Sequence, residues 1–85
     1  MNIKLEILKK KILYRAAYRG TKEMDILLSS FVNKYIDSFN ENQLLDLDKF
    51  LNFEDEVILN FYQHNVVKNQ IDKNDVSKIF KDFKL

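Results

Sequence analysis

The sequence predicts an all-α fold, a small five-helix bundle, and three observations predict it. Apolar residues recur at steps of three and four along nearly the whole chain, the mark of helices that bury one face. No stretch alternates apolar and polar residues with the two-residue period of a strand. In 85 residues there is no proline and one glycine, so the breaks between helices fall to polar caps and to that glycine. The length suits a single domain over residues 1–85 with a modest core. Seven Phe and four Tyr supply bulk for that core.

The first helix is expected over residues 3–18. Leu5, Leu8, Ile12 and Ala16 form its buried stripe, with Ile7 and Leu13 widening it. Lys11, Arg15 and Arg19 follow one another at i, i+4 on another face, beside a second such pair, Tyr14 and Tyr18. Gly20 ends this helix because glycine reaches positive φ without steric cost. Thr21 then caps a second helix over residues 22–39. Met24, Leu27, Leu28, Phe31, Val32, Tyr35 and Phe39 make that helix the central core element. Asn40 caps a third helix over residues 41–53, with Leu44, Leu47 and Leu51 as its stripe and Leu45 and Phe50 at the edges. The acidic run 54–56 opens a fourth helix over residues 55–64, with Ile58, Phe61 and Tyr62 inward. Residues 65–70 connect to a fifth helix that begins at Asp72 or Asn74. Val76, Ile79, Phe80 and Phe83 face the core from there.

Formal net charge is +1, so global charge argues for neither nucleic acid nor membrane. The distribution is uneven. Residues 1–22 carry seven Lys/Arg against one Glu, residues 23–63 two Lys against nine Asp/Glu, and residues 64–85 five Lys against three Asp. The absence of cysteine excludes disulfides, thiolate metal sites and cysteine nucleophiles. No apolar run reaches the ~18 residues of a membrane span. Lys4 and Glu6 interrupt the apolar start, so no signal peptide is read there. A cytoplasmic location is expected; Met1 argues against a matrix protein that has lost a transit peptide.

Catalytic material is sparse. His64, the single histidine, suits the C-terminal end of a helix, where the dipole favours positive charge. Ser29, Ser30, Ser38 and Ser77 have no base at a useful spacing. Asp46, Asp48, Glu54, Asp55 and Glu56 lack the ligand spacing and turn glycine of a calcium loop. A single glycine cannot build a phosphate-binding loop. From the residues alone the chain is a helical interaction domain with a basic and an acidic part. Its most conspicuous stretch is the corner Arg19-Gly20-Thr21-Lys22-Glu23-Met24-Asp25, where Arg19 and Glu23 either pair with each other or face a partner.

The run from Lys10 to Leu28, with Arg19, Gly20 and Glu23 as an Arg-Gly-x-x-Glu motif, resembles the succinate dehydrogenase assembly factors of the SdhE/YgfY type. A second segment, Phe50 to Tyr62, is similar to the family's acidic turn and following short helix. There Asp55 occupies an acidic position, Phe61 stands where tryptophan is usual, Glu56 where proline is common, and Val57 where an acid is common. The resemblance implies a five-helix chaperone, not an enzyme. It would bind the flavoprotein subunit of succinate dehydrogenase, or of fumarate reductase in some bacteria, and promote covalent attachment of FAD. FAD would belong to that partner, with no cofactor or metal held tightly by this chain. Arg19, Gly20 and Glu23 would contact the flavoprotein, with Tyr14, Arg15 and Tyr18 extending the contact along the first helix and Asp55 adding to it. A monomer in the bacterial cytoplasm is expected, with no membrane insertion and no nucleic acid. The alternative is a nucleic-acid-binding module that uses the basic first helix, with arginines on phosphates and tyrosines on bases. A small enzyme and a structural subunit of a larger assembly are the further alternatives.

Overall fold

The computed structural model describes residues 3–85. Among them are five α-helices: α1 Ile3–Ala17, α2 Lys22–Tyr35, α3 Glu41–Phe50, α4 Asp55–His64 and α5 Asp75–Asp82. A 3-10 turn, Ile71–Lys73, leads into α5. The polar caps make the breaks. Thr21 is extended and its Oγ1 accepts from the Met24 N–H. Asn40 and Gln43 form a reciprocal capping box: the Asn40 side chain accepts from the Gln43 N–H, and the Gln43 side chain accepts from the Asn40 N–H. Asn74, the later of the two starts expected for the fifth helix, caps α5 through the Val76 N–H. Asn65 ends α4 in the left-handed region at φ 58°, a conformation asparagine tolerates better than most residues.

Three helices are shorter than expected, each for a local reason. At the end of α1 the Arg19 N–H leaves the helical ladder and donates to Asp25 Oδ1. At the end of α2 the N–H groups of Ser38 and Phe39 both turn to the Tyr35 carbonyl, and the Ser38 hydroxyl joins them. The chain is then extended at Asn40, as an N-cap requires. At the end of α3 the Asn52 and Phe53 N–H groups bond three residues back instead of four, which tightens the last turn.

The stripes meet as their spacing implies. The linker 18–21 joins α1 and α2, which pack against each other as a hairpin. α3 packs on α1 and α5, and α4 closes over α5 and the 3-10 turn. Phe31 of α2 lies at the centre, edge-on to Phe80 and Phe83, while Phe50 of α3 reaches Phe80 from the other side. Ile12, Ala16, Leu28, Leu47 and Ile58 are sealed from solvent around them. The Tyr62 hydroxyl donates to the Phe83 carbonyl and ties the C-terminal end of α5 to α4. One expected core position is reversed. Ile7 is 62% exposed, because it lies on the arc of α1 opposite Ile12. Leu45, expected at the edge of the α3 stripe, is also exposed.

Candidate functional site

The corner between α1 and α2 is built by one glycine and one acid, Asp25. Gly20 sits at φ +121°, a conformation that L side chains rarely adopt, and a Cβ placed there would meet nothing within 4 Å. The requirement at position 20 is therefore backbone conformation, and the space beside it is open. Asp25, in the first turn of α2, accepts from the Arg19 N–H at 2.5 Å and pins the strand of linker across the helix start. Glu23, two residues earlier, is exposed and has no hydrogen bond or ion pair among the described residues. An internal Arg19–Glu23 pair is not formed.

Arg19 instead turns inward. Its Nε donates to Asp55 Oδ1 at 2.8 Å, its Nη1 to the Leu51 carbonyl at 2.7 Å and its Nη2 to the Phe53 carbonyl at 2.7 Å. The side chain is 11% exposed. The tightened end of α3 leaves the Leu51 and Phe53 carbonyls outside the helical ladder, and the guanidinium fork collects both. Asp55 lies in the first turn of α4, where the helix dipole also favours its charge. One side chain thus fastens the end of α1 to the α3–α4 loop and the start of α4.

Arg15 and Lys11 continue this row one turn at a time. Arg15 Nη1 donates to Asp48 Oδ1 at 2.6 Å and to the Asp48 carbonyl at 3.0 Å, and its Nη2 donates to Asn52 Oδ1 at 2.5 Å. Lys11 reaches Asp48 Oδ2 at 3.4 Å. The cations at 11, 15 and 19 therefore face acceptors at 48, 52 and 55 on α3 and beyond. The sequence suggested Arg15, Arg19 and Asp55 for a partner contact; in the structure they bond within the chain, and Asp48 and Asn52, which the spacing had not drawn into the site, take part in those bonds. The i, i+4 spacing of Asp48 and Asn52, which matches that of the cations opposite, was the available signal. Acids 48 and 55 go to separate arginines.

Tyr14 and Tyr18 lie beside this row, outside its contacts with α3 and α4. They are 67% and 71% exposed, with ring centroids 4.6 Å apart. Among the expected site residues the structure therefore brings Tyr14, Tyr18, Gly20 and Glu23 to the surface, and it brings Arg15, Arg19 and Asp55 together beneath it. No cavity opens among the described residues, so what this region presents is a surface. The arginines do not lie along that surface as a track for phosphates, and nothing among the similar proteins supports nucleic-acid binding.

Comparison with known proteins adds the family. The profile of the Sdh5 family, described as flavinator of succinate dehydrogenase, matches residues 10–84. The chain is 43% identical over 51 residues to succinate dehydrogenase assembly factor 2-B, mitochondrial, of Drosophila ananassae, covering 60% of this chain and 31% of that protein. It is 46% identical over 48 residues to the 2-B protein of Drosophila willistoni, covering 56% and 31%. It is 43% identical over 51 residues to the 2-A protein of that species, covering 60% and 32%. The chain matches about a third of the length of these curated relatives. No solved structure matches it. The expected bacterial cytoplasmic location is overturned: these relatives are named as mitochondrial. With the profile spanning all five helices from residue 10 onward, this chain belongs to the Sdh5 family of succinate dehydrogenase flavinators.

Proposed function

We propose that this chain is an assembly factor that binds the flavoprotein subunit of succinate dehydrogenase and promotes covalent attachment of FAD to it. Residues 1–85 act in this as one domain, and a single core shared by all five helices supports that reading. The free protein is a monomer, and fumarate reductase is a further partner where a cell contains one. The contact is formed by Gly20, Glu23, Tyr14 and Tyr18. Arg15, Arg19 and Asp55 belong to the site by holding that corner against α3 and α4.

The observation that carries the reading is Glu23. An exposed carboxylate without a partner among the described residues, three residues past a glycine with open space beside it, offers charge and close backbone approach at one corner. Tyrosines 14 and 18 add rigid aromatic area of the kind that dominates interface energetics. The helper performs no bond-forming chemistry. It holds the flavoprotein in the arrangement in which flavin and the accepting side chain meet, and positioning alone can supply a large part of a rate enhancement. FAD is the partner's group throughout, and no residue of this chain is assigned to it.

The test is complementation. Cells lacking their own assembly factor receive this chain, and covalent flavin on the flavoprotein subunit is read by in-gel fluorescence. Restored fluorescence, with the subunit recovered in a pull-down of this chain, is the expected result. A pull-down that contains no flavoprotein, with fluorescence still absent, would overturn the proposal.

A further inference from the structure

Helix α1 bears a second feature that extends beyond the corner. At 3.6 residues per turn Ile3, Ile7, Lys10 and Tyr14 fall within about 60° of arc, directly away from the buried Ile12, and Tyr18, one residue past the helix end, packs its ring on Tyr14. Four of the five are large and apolar, with exposures of 73%, 62%, 67% and 71% for Ile3, Ile7, Tyr14 and Tyr18. The other exposed apolar residues, such as Leu45 on α3, Val67 in the connector after α4 and Leu85 past α5, form no comparable row. Over the 15 residues of α1 the stripe runs about 22 Å at 1.5 Å per residue. Ile3 and Ile7 precede residue 10, where the family match begins.

We propose that this stripe is the continuation of the flavoprotein contact, and that it seats in an apolar groove of the flavoprotein subunit whose rim carries carboxylates. The inference rests on the function proposed above and adds the occupant, the chemistry and the residues beyond the corner. Charge selects the occupant. Lys10 lies in the stripe and has no ion pair among the described residues. Glu6 is the single carboxylate of α1. A second copy of this chain laid on the stripe would bring lysine against lysine, whereas an acidic rim would pair with them. Size agrees. A stripe of this length and about 10 Å width presents on the order of 250 Å², well short of the ~800 Å² per partner of a stable interface. It adds usefully to a larger contact through Tyr14 and Tyr18, which belong to both.

The experiment uses the full chain with p-benzoylphenylalanine in place of Ile7, and separately in place of Val67, mixed with the flavoprotein subunit and irradiated. Ile7→Glu and Ile3→Ser are assayed for binding alongside. The expected result is a crosslink to the flavoprotein from position 7 and none from position 67. Ile7→Glu should also weaken binding about ten-fold or more, the scale of losing an interface anchor, with helix content unchanged. A crosslink from position 7 to another copy of this chain would overturn the inference. So would full affinity in both variants while the unmodified chain binds, and in either case the proposed function stands. Failure of the unmodified chain to bind the flavoprotein would overturn both.

Discussion

Two rows of residues run along α1, and the protein treats them in opposite ways. Lys11, Arg15 and Arg19 are cations, the residues that a sequence reader assigns to a partner. They are turned onto Asp48, Asn52 and Asp55 and the carbonyls of Leu51 and Phe53. Ile7, Tyr14 and Tyr18 include the residues that a reader assigns to a core or its edge, and they stand in solvent. The difference follows from the ends of α3 and α4. Those ends leave carbonyls and a first-turn acid that need charged donors, so the cations are drawn inward. The apolar arc opposite Ile12 then has no element among the described residues to cover it. In this molecule the charged row organises the corner, and the apolar row stands in solvent, where the proposed partner contact is placed.

That contrast can be broken by substitution, beginning with the inward row. Arg19→Ala leaves Asp55 and two carbonyls without their charged donor. It should cost about 2–4 kcal/mol in stability, measured by chemical denaturation. A loss within experimental error would remove Arg19 from its structural role. Gly20→Ala meets no neighbour, so its cost is backbone strain at φ +121° alone. That cost should be about 1–3 kcal/mol, read in the same assay. Arg15→Ala loses a more exposed set of bonds and should cost about 1–2 kcal/mol. On the outward row the expected effects on stability are small. Tyr14→Ala and Tyr18→Ala remove an exposed ring pair and should each change stability by less than about 1 kcal/mol. Their consequence should appear in flavoprotein binding instead.

The fold was largely legible in the sequence because its breaks are chemical. Asn40, Thr21 and Asn74 are cap residues placed before apolar stripes, and each caps the helix that follows it. Less legible were the helix ends. The stripe of α2 continues through Tyr35 and Phe39, yet the helix stops at Tyr35 so that Asn40 can be extended. Phe39 is buried all the same, so periodicity reported burial correctly and helicity incorrectly. At the site, spacing placed Arg15, Arg19 and Asp55 in view but not their direction. Which face of α1 turns inward depends on acceptors more than thirty residues away in the sequence. Ile7 shows the same limit from the apolar side. It fits a widened stripe by spacing and misses the core by its angle around the helix.

Glu23 separates the two rows most directly, since it is exposed and unpaired among the described residues while Arg19, four residues earlier, is turned inward. The decisive measurement is covalent flavin on the flavoprotein subunit in cells whose only assembly factor is the Glu23→Ala variant, with thermal unfolding of the purified variant recorded in parallel. The account predicts an unfolding midpoint close to that of the unmodified chain and a flavin signal reduced several-fold. A flavin signal equal to that of the unmodified chain would contradict it.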